Sequence, residues 1–352
     1  MTERMDRRTF LRRSAIVGVG AAAAGIGVAS YLQDRRVPWD RDAFPPPGKA
    51  RVAVLRATSY EQPLEGLVQD GLRAVGADVS GARVLLKPNL VEYDAGTVIN
   101  TDPRVIAATV LAMRRLGAID VTVAEGPGHR RDTQYVATAS GLLEALGEIG
   151  APFVDLNADA LVAQRLRSHY TPLDSLWLPR SVTTGADLVV SMPKMKTHHW
   201  AGVTLSLKNC FGCVPGRVYG WPKNALHVVG IEQSILDVAA AVRPDLAIVD
   251  GVVGMEGNGP IAGSPVEAGV LVFGNDPVAT DAVASRLMNI DPERVDYLAE
   301  AGRFLGQARL EDIRQEGEDH EREATDFTML PQFEYLKVGS SAERVNPLDA
   351  PA

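Results

Sequence analysis

RVLLKPNLVEYDAGTVINTDPRVIAATVLAMRRLGAIDVTVAE, residues 83–125, decides the fold. Residues Arg83 to Leu86 read as a strand that ends in Lys87-Pro88-Asn89. Asp102-Pro103 then offers a helix N-cap with proline at the first helical position. Val105, Ile106, Thr109, Val110, Met113 and Leu116 recur at helical spacing up to Gly117. Val121 to Ala124 is the next strand, and it ends in Glu125-Gly126-Pro127. Strand, helix and strand in this order make a βαβ unit, which requires parallel pairing.

The same alternation continues outward. Upstream lie a β-rich run, Val52 to Leu55, and a helix over Pro63 to Val75. Downstream come a helix over Ser140 to Ile149, short strands at Pro152 to Leu156 and Asp187 to Ser191, and a helix marked by Ile231, Ile235, Val238 and Val242. Leu246 to Val249 is a strand ending in Asp250-Gly251, and Gly269 to Phe273 is another. Asn275-Asp276-Pro277 repeats the cap-and-proline signal ahead of a helix over Val278 to Met288. The expected fold is α/β: a mainly parallel sheet with helices on both faces, and loops at the strand C-termini forming a crevice.

The 352 residues divide into four stretches. Residues 1–33 resemble a twin-arginine export signal: Asp6-Arg7-Arg8-Thr9-Phe10-Leu11-Arg12 precedes a Gly/Ala-rich apolar segment, Ala15 to Leu32. A short membrane anchor is the competing reading, at the lower limit of spanning length. Gly18, Gly20 and Ala23 match G-x-G-x-x-A but follow arginines instead of a strand, so the dinucleotide reading fails. Residues 34–48, with Pro45-Pro46-Pro47, form a stiff linker. Residues 49–301 are the α/β domain, and 302–352 an acidic, polar surface extension without firm period. The expected partners are the twin-arginine translocation machinery and a small anionic ligand. The expected location is extracytoplasmic, with membrane contact only through the N-terminal segment.

The net charge of −8 hides an asymmetry: residues 1–36 carry +4, so the rest carries −12. An acidic body excludes nucleic acid as the main partner, because phosphate neutralisation needs a basic surface. It leaves room for an anionic small molecule held by local lysines.

Such a cluster exists. MPKMKTHHWAGVTLSLKNCFGCVPG, residues 192–216, holds three lysines, two histidines and both cysteines of the chain. Four strands end in an ionisable group: Lys87, Glu125, Lys194 and Asp250. Open parallel sheets bind ligands beyond their carboxyl ends, so these four point to one shared crevice. Lys194, Lys196 and His198 alternate and would share one face of an extended segment. Lys87, Asn89, Lys196, Lys208 and Asn209 are the expected substrate-binding residues; His198, Lys194 and Glu125 are the expected catalytic ones, with His198 as proton carrier. His199 and His227 are weaker candidates. Asp250 and Asp276, with Cys210 and Cys213, are the candidate ligands of a divalent metal or an iron–sulfur cluster. Asp276 competes with its own role as an N-cap, and one C-x-x-C supplies two of about four ligands.

Leu86-Lys87-Pro88-Asn89-Leu90, Thr101-Asp102-Pro103, Glu125-Gly126, Met192-Pro193-Lys194-Met195-Lys196-Thr197-His198, Leu207-Lys208-Asn209 through Gly212, Asp250-Gly251, and Asn275-Asp276-Pro277 with Asp281 together resemble the family known as domain of unknown function 362, from about Lys49 to Pro292. The resemblance implies an α/β fold and no established reaction. Some relatives carry ferredoxin-like cysteine clusters; this chain departs from them in having only Cys210 and Cys213. Three functions remain open on the sequence: an exported enzyme acting on a small anion with a bound cation, an electron-transfer protein using the two cysteines, and a non-catalytic solute-binding protein.

Overall fold

The computed structural model describes residues 37–128, 132–221 and 223–344, so residues 1–33, expected to be an export signal, lie outside the described residues. Its strands are β1 (Ala50–Arg56), β2 (Arg83–Pro88), β3 (Asp120–Glu125), β4 (Phe153–Asp155), β5 (Leu161–Arg165), β6 (Ser175–Pro179), β7 (Leu188–Met192), β8 (Lys194–His198), β9 (Gly202–Thr204), β10 (Leu246–Glu256), β11 (Ser264–Val266), β12 (Val270–Gly274) and β13 (Ile313–Gly317). The main sheet runs β13-β1-β12-β10-β7-β2-β3-β4, with β8, β9 and β11 branching from β10. Five of its seven neighbouring pairs are parallel; β12 runs antiparallel to both β1 and β10.

Helices cover both faces, and the strand residues show why. Val52, Val54, Leu85, Val249, Val270 and Val272 enter one core cluster. Their neighbours Ala53, Val84, Leu86, Ile248, Leu271 and Phe273 enter the other. This is the period-two alternation of a sheet buried on both sides, which reads as a continuous apolar run. The second cluster lies under α1 (Leu64–Ala74), α2 (Pro103–Arg115), α3 (Thr133–Ala139) and α4 (Leu142–Glu148). Asp102 caps α2 by accepting from the Arg104 amide, as its sequence predicts. The first cluster lies under α5 (Ser206–Asn209), α6 (Gly216–Tyr219), α7 (Asn224–Val228), α8 (Ile231–Val242), α9 (Pro277–Leu287) and α10 (Asp296–Ala301).

Three local expectations change. The polar stretch after residue 302 is not a surface extension throughout. It supplies β13, which pairs in parallel with β1 and forms one edge of the sheet. Phe327, from the same stretch, is fully buried. Only Ile313 of β13 is buried, so an edge strand of this kind leaves no apolar period to read. The Pro-rich stretch is docked as well: Trp39 stacks on Phe304 at 4.8 Å and Phe44 is buried. Finally, β10 does not stop at Asp250. It runs on to Glu256, because β8 and β11 pair with its second half.

Candidate functional site

A cavity of about 210 Å³ opens beyond the carboxyl ends of β2 and β3, closed on its other sides by β8, β9, α5 and the turn into α7. This is the position at which open parallel sheets bind ligands. Of the expected residues, Asn89, Glu125, Lys196, His198, Lys208 and Asn209 line it.

The floor is a buried ion pair. β2 and β3 run in parallel register and end at the same level, which brings Lys87 and Glu125 together. Lys87 Nζ donates to Glu125, to the Pro88 carbonyl at 2.7 Å and to Asn209 Oδ1 at 3.0 Å, using all three N–H groups. Glu125 accepts further from the Gly126 amide at 2.8 Å. Asn89 Nδ2 reaches Asn209 Oδ1 at 3.2 Å, while Asn89 Oδ1 is buried without a partner. Thr204 Oγ1, on the opposite wall, is likewise buried and unpartnered among the described residues. Orphaned polar atoms of this kind are uncommon in folded proteins and call for a ligand or ordered water.

The walls carry more lysine than the sequence indicates. Lys196 Nζ donates to the carbonyls of Ile99 at 2.7 Å and Pro260 at 3.3 Å. Burial, followed by the charge of Lys194, pushes its pKa well below the usual lysine value. Lys223 donates to the carbonyls of Phe211 at 2.5 Å and Gly126 at 3.1 Å, and burial brings it down to about 8. Its backbone sits at φ 71°, in the left-handed region that costs a residue with a side chain roughly 1–2 kcal/mol. No periodic pattern surrounds Lys223, which is why the sequence reading missed it. Lys208 has no hydrogen-bond acceptor among the described residues; its Nζ lies 4.1 Å from the centre of the Phe211 ring. The ring face favours the ammonium by about 0.5–2 kcal/mol. Burial, then the charges of Lys223 and Lys87, outweigh this and bring Lys208 down to about 7.

α5 holds Lys208 in place. The buried Asp281 of α9 accepts from the amides of Ser206 at 2.7 Å and Leu207 at 2.9 Å, anchoring the start of that short helix. Burial raises the Asp281 carboxyl to about 7 despite these two bonds. The motif position of Asp281 thus has a mechanical explanation.

The histidines divide by tautomer. His198 Nδ1 accepts from the amides of Trp200 at 3.0 Å and Ala201 at 3.1 Å, so its proton resides on Nε2. Protonating Nδ1 would set it against two donors, and burial already pushes the pKa well below the usual value. His198 is therefore a fixed neutral donor and is unsuited to the proton-carrier role expected of it. His199 and His227 are the reverse. Their Nδ1 atoms face the carbonyls of Gly259 at 2.8 Å and Lys223 at 3.0 Å, so Nδ1 carries the proton and Nε2 keeps a free lone pair. With Trp200 and Phe211 they form a chain of ring contacts along one wall, centroids 4.7–5.8 Å apart.

The other expected residues lie elsewhere. Lys194 and Asp250 occupy paired positions of β8 and β10 and form their own buried ion pair at 2.6 Å. Tyr60 donates to Asp250 at 3.0 Å, as does the Asp102 amide at 2.9 Å. Neither Lys194 nor Asp250 lines the cavity. Asp276 caps α9, accepting from the amides of Val278, Ala279 and Gln307. Cys210 and Cys213 are free and buried, and burial pushes both thiols up, Cys213 to about 12. Metal binding needs thiolate, so these sites disfavour it. Among the described residues no three His, Cys, Asp or Glu side chains converge on a point. The expected metal and iron–sulfur ligands therefore do not fit such a group. Gly212, between the cysteines, has a steric reason of its own: a methyl group there would collide with the Lys87–Glu125 pair.

The chain is thus a mainly parallel α/β protein with a lysine-rich cavity at its strand ends. It belongs to the family described as domain of unknown function (DUF362), whose profile matches residues 84–286. It is similar to a thylakoid-associated protein of Synechocystis sp., 31% identical over 259 residues, covering 70% of this chain and 77% of the relative. A crystal structure of a Thermotoga maritima protein matches 57% of this chain and 52% of its own length, at 12% identity and a TM-score of 0.32.

Proposed function

We propose that this protein is an enzyme acting on a small organic anion, bound in the cavity between β2, β3, β8 and α5. The observation that carries the reading is a charge inventory. Lys87, Lys196, Lys208 and Lys223 gather around one carboxylate, Glu125, which Lys87 already occupies. Burying uncompensated charge costs several kcal/mol per ion. An anion would supply the missing countercharge, and the orphaned Asn89 and Thr204 oxygens would meet its polar groups. The cation drops out of the reading, because Asp250 and Asp276 are engaged by other donors.

Calorimetric titration with phosphate and with pyruvate, at pH 6.5, tests the reading. The wild-type protein binds at least one of them. Lys208→Met weakens binding about tenfold or more, the worth of one charge-assisted contact. Lys194→Met leaves the affinity unchanged, since Lys194 is spent on Asp250. Affinity falls as pH rises from 6 to 9, because Lys208 and Lys223 lose their protons at about 7 and 8. Silence with both anions, or equal losses in the two variants, would overturn the assignment.

A further inference from the structure

We infer that Lys208 is a nucleophile whose amine condenses with the carbonyl group of a small oxo acid to form an imine. The inference rests on the anion-binding reading above and names its substrate class.

Three observations support it. First, the cavity lysines divide by their bonding. Lys87 spends all three N–H groups, and Lys196 and Lys223 each spend two on carbonyl oxygens. Each of the latter retains one donor, suited to orienting a carboxylate. Lys208 alone among them donates to no acceptor in the described residues, and an amine free of hydrogen bonds keeps its lone pair for attack.

Second, Lys208 is central. Its charge acts on Lys196, His198, His199 and His227, and Lys223 and Lys87 act on it in turn. No carboxylate is among the groups that shift it; burial, Lys223 and Lys87 all act against its ammonium. Lysines are activated in this way, by apolar surroundings and neighbouring cations. With its pKa at about 7, Lys208 carries about 10³-fold more neutral amine at pH 7 than an ordinary lysine.

Third, three imidazoles line the same cavity. His199 and His227 present unprotonated Nε2 atoms, and His198 presents an Nε2–H that can donate to a carbonyl oxygen.

The step balances without a further reagent. The lone pair on neutral Nζ forms a C–N bond as the carbonyl π pair moves onto oxygen. A nitrogen proton passes to that oxygen through the free Nε2 of His199 or His227, giving the carbinolamine. The second nitrogen proton passes to the hydroxyl by the same route, and water leaves as the nitrogen lone pair forms the C=N bond. One water leaves, and nothing is oxidised or reduced.

The test is reductive trapping. The full chain is incubated at pH 7 with pyruvate or 2-oxoglutarate and sodium cyanoborohydride, digested and mapped by mass spectrometry. The expected product is Lys208 heavier by the oxo acid less one oxygen, labelled at least about tenfold over any surface lysine, since its neutral fraction is about 10³-fold higher than that of an ordinary lysine. Labelling is half-maximal near pH 7 and is lost in Lys208→Arg. The wild-type map decides the matter even if that variant misfolds. No adduct with either acid, or adducts scattered over surface lysines, overturns the inference. Calorimetry then separates the two claims: retained binding of phosphate or pyruvate without an adduct keeps the anion site and discards the imine, and silence with both anions discards both.

Discussion

A methyl group on Gly212 would collide with Glu125 and with Lys87, so this position requires glycine for close approach and not for its dihedral freedom. Gly212→Ala should lower stability in urea unfolding by about 1–3 kcal/mol or more, the usual cost of overpacking. Gly66→Ala, on the open side of α1, should be neutral or stabilising by about 0.5–1 kcal/mol. Equal effects of the two would refute the packing argument. Lys208 makes a prediction of opposite character. Its pKa is about 7 in the fold and about 10.4 in the unfolded chain. Between these values the unfolded state binds more protons, so the Lys208 contribution to stability rises with pH. Below pH 7 the fold bears the full cost of a buried ammonium. Lys208→Met should therefore stabilise the ligand-free protein, on the order of 1–3 kcal/mol at pH 6, and the gain should fade by pH 10. A gain that is constant with pH would show that Lys208 is not held under electrostatic strain.

At the scale of elements, β8 and β10 redistribute the residues that the strand-end rule had grouped. Pairing Lys194 with Asp250 in register neutralises both within the sheet. The next inward residues of β8, Lys196 and His198, then meet the cavity. α5 is only four residues long and cannot hold its position by its own hydrogen bonds. Asp281 supplies the anchor. Asp281→Asn keeps one acceptor oxygen of two and should cost about 1–3 kcal/mol, the penalty of a buried bond lost. It should also weaken anion binding, because the frame of Lys208 loosens. Unaltered affinity in a stable Asp281→Asn protein would remove the positioning role.

Over the whole molecule, the chain from residue 302 closes the structure it was expected to decorate. β13 covers the edge of β1, and Phe327 packs against Gly254 of β10, where a Cβ would touch its ring. Phe327→Ala should cost about 3–5 kcal/mol, as for other buried phenylalanines. A loss below about 1 kcal/mol would return this segment to the surface. The charge distribution also separates at this scale. The sequence carries a net −8, yet the lysines gathered at the cavity form a cationic, internal group. An acidic exterior slows anion approach, so added salt should speed binding by screening that repulsion.

The sequence by itself determined the α/β class, the caps at Asp102 and Asp276, and much of the polar part of the cavity wall. Those features are local: period-two and helical spacing, cap chemistry, and the rule that polar residues cluster where parallel strands end. Asn89, Glu125, Lys196, His198, Lys208 and Asn209 were legible for that reason. Only the tertiary structure decided which charges cancel. Lys87 with Glu125 and Lys194 with Asp250 look alike in sequence, but register places one pair under the cavity and the other outside it. Lys223, Thr204 and the Nε2 atoms of His199 and His227 were invisible for a related reason. Their roles depend on which neighbours leave an atom unpaired, and pairing across the fold is a property of contacts far apart in the chain.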